Sequence, residues 1–82
     1  MPNVLEALQQ IFREVLDQPE LILTRESDSN NVQDWDSFAQ ISLIMAIEEH
    51  YQMKFVLNEF QDIKNVGDMA DLISRKIEHK NG

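Results

Sequence analysis

Fifteen consecutive residues, Ser37 to Tyr51, carry more apolar side chains than one face of a helix can hold. Leu43, Ile44, Ile47 and Tyr51 recur at helical spacing and make a stripe assigned to the core. Phe38, Ile41 and Met45 make a second line at +3 and +4. A chain of 82 residues has little interior in which to hide both. Either this helix is central, or its second line is a partly exposed contact surface.

The remaining segments are read from the same periodicity. Asn3 followed by Glu6 has the spacing of a capping box. Val4, Leu5, Leu8, Ile11, Phe12, Val15 and Leu16 then predict an amphipathic first helix of about four turns. Asp17-Gln18-Pro19 is expected to end it, because the residue before proline avoids helical backbone angles. From Asp17 to Asp36 no long helical period appears. A strand at Leu21–Thr24 has no partner to pair with, so the segment reads as a long loop anchored by Leu21, Leu23, Val32 and Trp35. After the helix from Ser37, the residues Met53, Phe55, Val56 and Leu57 lead into a short capped turn at Asn58-Glu59-Phe60-Gln61. Asn65 then caps a last helix whose Val66, Met69, Leu72, Ile73 and Ile77 face inward, with Arg75, Lys76 and Lys80 near its end. The expected fold is all-α: a small bundle of three principal helices plus one short helix, in a single domain over residues 1–82.

Composition removes several classes of function. Fifteen acidic residues oppose seven basic ones, and no lysine or arginine lies between Arg25 and Lys54. Nucleic-acid binding needs a basic footprint, so this charge argues against it; positively charged protein partners are favoured, with a solvated acidic surface that only aids solubility as the alternative. No cysteine is present, so the chain has no disulfide, no thiolate metal site and no thiol nucleophile. His50 and His79 have no ligand-spaced companions. Asp28-Ser29-Asn30 begins like a calcium loop, but its sixth position is Gln33 and its twelfth is Ala39, where glycine and glutamate are required. With glycine only at 67 and 82 there is no glycine-rich phosphate loop. The chain opens Met1-Pro2-Asn3 without a basic, then apolar leader, and no stretch approaches membrane-spanning length, so a soluble cytoplasmic monomer is expected.

Ser37 remains. It follows Asp34 and Asp36 and opens the long helix, where unpaired N–H groups and the positive end of the dipole favour a phosphate. Serine at a helix start is also an ordinary stabilising choice. The context is more specific. Asp36-Ser37-Phe38, followed by Ile41, Leu43, Ile44, Met45, Ala46, Ile47 and Glu48-Glu49, resembles the acyl carrier protein signature, usually Asp-Ser-Leu before an apolar-rich helix ending in paired acids. Asn65 to Ile73 looks like the start of that family's last helix, so the resemblance covers nearly the whole chain.

The resemblance implies that a phosphopantetheinyl transferase moves 4′-phosphopantetheine from coenzyme A to Ser37. The arm's sulfur would then carry an acyl group as a thioester, with no catalysis by the chain itself. Asp36 would cap the helix and help the transferase and its metal engage. Acyl-loading, condensing or acyl-transferring enzymes with basic patches would dock on Asp34, Trp35, Phe38, Ile41, Met45, Glu48 and Glu49. For Trp35, Phe38 and Met45, core packing is the competing reading. Family members serving bulk fatty-acid synthesis usually place acids two and five residues after the serine; here those positions are Ala39 and Ser42. A specialised carrier is therefore expected, with fatty-acid, lipid or polyketide-type acyl cargo. The alternatives are an aminoacyl (peptidyl or D-alanyl) carrier, or an unmodified interaction subunit.

Overall fold

The structure is a computed structural model that describes residues 3–61 and 63–81, with side chains at all of these except 57, 60 and 79–81. Expectations for the Leu57, Phe60, His79 and Lys80 side chains lie outside the described residues. Four helices follow in order: α1 (Val4–Val15), α2 (Ser37–Tyr51), α3 (Leu57–Gln61) and α4 (Val66–Asn81). Among the described residues there is no strand, and 21–24 is extended loop. No helix there is long and apolar enough to cross a membrane.

α1 packs against both α2 and α4. Leu8 and Phe12 of α1, Leu43 and Ile47 of α2, and Met69 and Ile73 of α4 interlock as a fully buried centre. Ile44 and Leu72 are buried as their spacing predicts, while Tyr51 and Ile77 are half-buried. Removing a central member such as Leu8 to alanine costs about 2–5 kcal/mol.

Helix ends are set by local chemistry. Asn3 Oδ1 accepts the Glu6 amide at 3.3 Å, capping α1. α1 is shorter than its pattern suggested and stops before proline acts. Asp17 adopts a left-handed φ of 55°, and the Gln18 amide reaches back five residues to the Arg13 carbonyl at 3.0 Å. That closure satisfies a carbonyl the helix would leave open. α2 ends the same way, with Gln52 at φ 54° and the Met53 amide on the Glu48 carbonyl. At the start of α3, Glu59 Oε1 accepts the Val56 amide at 2.8 Å while the Glu59 amide donates to the Val56 carbonyl.

The long loop is held as the spacing anticipates, and by more than apolar anchors. Leu23, Val32 and Trp35 are buried and Leu21 is half-buried against the core. Polar side chains of α1 grip the loop backbone as well. The Leu23 amide donates to Gln9 Oε1 (2.9 Å), and Arg13 Nε donates to the Leu21 carbonyl (2.7 Å). Farther along, the loop feeds α4. Its Ser27 and Arg25 carbonyls accept the Val66 and Gly67 amides, each at 2.8 Å, and Asn65 Oδ1 accepts the Asp68 amide. The first turn of α4 is thus satisfied largely by a segment forty residues away in sequence. Gly67 is required by that approach, because a Cβ there would sit 3.0 Å from the Arg25 carbonyl oxygen.

The exposed Arg25–Asp71 pair (2.9 Å) reinforces the same junction, and the guanidinium's hydrogen bond holds the Asp71 carboxyl below its ordinary value. α3 is tied to α4 by Lys76. Its ammonium pairs with Glu59 (2.9 Å), donates to the Lys54 carbonyl (2.9 Å) and lies 5.1 Å from the centre of the Phe55 ring. Desolvation opposes the Glu59 charge, but the Val56 amide and the Lys76 ammonium outweigh it and leave its pKa lowered.

Candidate functional site

Ser37 is the first residue of α2 and is exposed. Asp36 precedes it as the N-cap, with extended backbone, and its Oδ1 accepts the Ala39 amide at 2.8 Å. The Asp36 carbonyl accepts the Gln40 amide, also at 2.8 Å. The cap therefore takes the third amide of the helix and leaves those of Ser37 and Phe38 without acceptors among the described residues. The Ser37 hydroxyl has no hydrogen-bond partner there either. An open hydroxyl, two free N–H groups and the positive end of a fifteen-residue helix meet at one point. That arrangement suits a phosphoester.

The chain leading to Ser37 is anchored, as the apolar spacing of the loop anticipates. Trp35, expected equally in the core or on a docking face, is a core residue at 7% exposure. Its ring stands edge-on to Phe12 of α1, with centroids 4.9 Å apart at 86°. Its Nε1 donates to Gln40 Oε1 at 2.6 Å. Placing Trp35 among the docking residues is therefore incorrect: a large apolar side chain beside a small core was worth more buried than displayed. Asp34, one residue earlier, is exposed in a left-handed turn at φ 68°.

Around the rest of α2 the two apolar lines separate cleanly. Ala39, Leu43, Ile44 and Ile47 point inward, while Phe38 (80%), Ile41 (62%) and Met45 (63%) are exposed. Core packing is thus ruled out for those three. Ser37, Ile41, Met45 and Glu49 fall at successive +4 positions, so the serine heads an apolar ridge about 18 Å long that ends in a carboxylate. Glu48 departs from the expected pair. It is half-buried and accepts the Phe55 amide at 2.8 Å, so it closes the α2–α3 connection instead of standing free. Asp34, Asp36 and Glu49 remain as exposed carboxylates flanking the ridge.

Ala39 also changes meaning. It is 8% exposed within the core, so the absence of an acid there removes no charge from this helix's outer face. Of the two departures from the bulk-synthesis pattern, only Ser42, half-buried, lies outside the core. Gln40 was not singled out by sequence, because a lone glutamine in a first helical turn carries no periodic or motif signal.

The family described as "Phosphopantetheine attachment site" matches residues 6–73, from α1 through the first half of α4. The chain is 27% identical over 75 residues to an acyl carrier protein of Coprothermobacter proteolyticus, covering 92% of each. It is also similar to the solution NMR structure of holo acyl carrier protein from Geobacter metallireducens. There the identity is 48%, the TM-score 0.89, and coverage 98% of this chain and 91% of that one. Helix order, the displayed serine and these likenesses agree, and the chain belongs to the acyl carrier protein family, whose members carry a covalent 4′-phosphopantetheine.

Proposed function

We propose that Ser37 is the attachment point of the arm and that the protein carries acyl intermediates as thioesters on it. The observation that carries this reading is the exposed Ser37 hydroxyl at the start of α2, unpaired and heading the ridge of Ile41 and Met45. Oγ would attack the phosphoryl end of the arm within coenzyme A, forming the new O–P bond and expelling the adenosine bisphosphate half. The transferase or water takes the hydroxyl proton. Asp36 holds the helix start in register and presents a carboxylate beside the transferase's metal. The arm supplies the thiol that a chain without cysteine lacks. The chain's own part is display, not catalysis, and its setting is cytoplasmic, where coenzyme A and the partner enzymes meet.

Phe38, Ile41, Met45, Asp34 and Glu49 form the docking face for the phosphopantetheinyl transferase and for acyl-loading, condensing or transferring enzymes with basic patches. Exposed apolar side chains rimmed by acids fit such partners. Ser42, in place of an acid, supports a dedicated acyl pathway over the bulk synthase, because a missing partner-side charge shifts preference. An aminoacyl cargo has no specific observation in its favour.

Intact mass after incubation with coenzyme A and a promiscuous transferase tests the assignment. A gain of one phosphopantetheine, absent from Ser37→Ala, is expected; no gain with several transferases would leave an unmodified interaction subunit. Equal turnover by a general fatty-acid synthase's enzymes, relative to that synthase's own carrier, would remove the dedicated-pathway reading.

A further inference from the structure

The indole of Trp35 and the side chain of Gln40 straddle Ser37 in sequence and meet at 2.6 Å. We propose that this bond is a clamp that sets the orientation of Ser37, making Gln40 a positioning residue for attachment of the arm. The inference rests on the reading of Ser37 as the attachment point.

The clamp acts from both sides of the serine. Upstream, Trp35 is wedged against Phe12, a residue with no exposure, so the segment's position is referred to the core of α1. Only Asp36 separates that plug from Ser37. Downstream, Gln40 belongs to the first turn of α2, and its amide already donates to the Asp36 carbonyl. Gln40 therefore closes a ring: Asp36 carbonyl to Gln40 backbone, Gln40 side chain to Trp35, Trp35 back to Asp36 along the chain. Ser37 and Phe38 sit inside that ring with their own amides unpaired, so nothing local fixes them. Without the clamp, the first turn keeps the Asp36 cap, the Gln40 amide on the Asp36 carbonyl and the buried Ala39, but no bond ties it to Trp35. The Asp36 cap stabilises the helix start through the Ala39 amide, but the Asp36 side chain is itself exposed. An indole N–H donates only, so the acceptor must be the glutamine oxygen, and side chains without an acceptor cannot replace it.

The test uses Gln40→Met, close in volume but without an acceptor, and Gln40→Glu, which keeps one. Transfer from coenzyme A is measured with the carrier as the varied substrate. For Gln40→Met, kcat is expected to fall about fivefold while KM stays within about twofold, since the docking ridge is unchanged and only the nucleophile is misplaced. Exchange of the Ala39 amide is expected to quicken about tenfold, with the Ile73 amide unchanged. The single indole N–H resonance should shift, and Gln40→Glu should restore all three readouts. Wild-type kcat in Gln40→Met overturns the proposal, as does a Gln40→Glu variant no better than Gln40→Met. Loss of protection at Ile73 together with Ala39 also overturns it, because the bond would then only support the fold. If the wild-type protein accepts no arm, the Ser37 reading fails instead, and unchanged or quickened Ala39 exchange still decides the clamp.

Discussion

At the scale of single residues, the proposed site divides its needs between two neighbours. Ser37 would supply the oxygen, and Asp36 sets where the helix that displays it begins. Asp36→Ala leaves the Ala39 amide unpaired, and urea denaturation is expected to show a loss of about 0.5–2 kcal/mol. The Asp-Ser pair and its following apolar run made this part of the site readable in sequence, because capping and dipole effects act over three or four residues. Trp35 and Glu48 were not readable in the same way. Whether a tryptophan plugs the core or faces outward is decided by the Phe12 ring it meets, and whether a glutamate is free is decided by an amide seven residues later. Neither neighbour is visible from local pattern.

At the scale of elements, α2 has two apolar faces and α4 borrows its first turn from a distant loop. The periodicity located all three long helices and their inward residues, since burial along a helix repeats every three or four positions. The helix ends were less legible. Asp17 and Gln52 take left-handed backbone angles usually given to glycine, so α2 stops where residue type alone does not announce it, and α1 stops by a turn at Asp17 and not by the proline. The junction between loop and α4 shows what such long-range bonding demands. Alanine at 67 would gain about 1 kcal/mol of helix propensity. Its methyl group would meet backbone at 3.0 Å and displace the carbonyls of Arg25 and Ser27, each bond worth about 0.5–1.5 kcal/mol. Gly67→Ala is thus expected to be net destabilising, by about 1 kcal/mol, in a denaturation series; a stabilised variant would show that the loop yields freely.

At the scale of the whole molecule, a formal charge of −8 is spread over a body measuring 36 × 28 × 21 Å. At about 0.01 M salt the screening length of about 30 Å spans most of it, and at about 0.15 M the length is about 8 Å. Self-repulsion therefore weakens as salt rises, and the same screening weakens attraction to basic partners. The melting temperature is expected to climb by a few degrees over that range while the rate of transferase loading falls. A melting temperature independent of salt would mean that the charges are already compensated locally. The division of α2 has a consequence for how the sequence is free to change. Substitutions at Leu43 or Ile47 register as loss of folded protein, whoever the partners are. Substitutions at the exposed Phe38, Ile41 or Met45 are expected to leave the fold intact and, on the proposed docking reading, to register only when another enzyme must recognise the surface. On that reading one helix carries two independent records, an inner one written by its own packing and an outer one by the company the protein keeps.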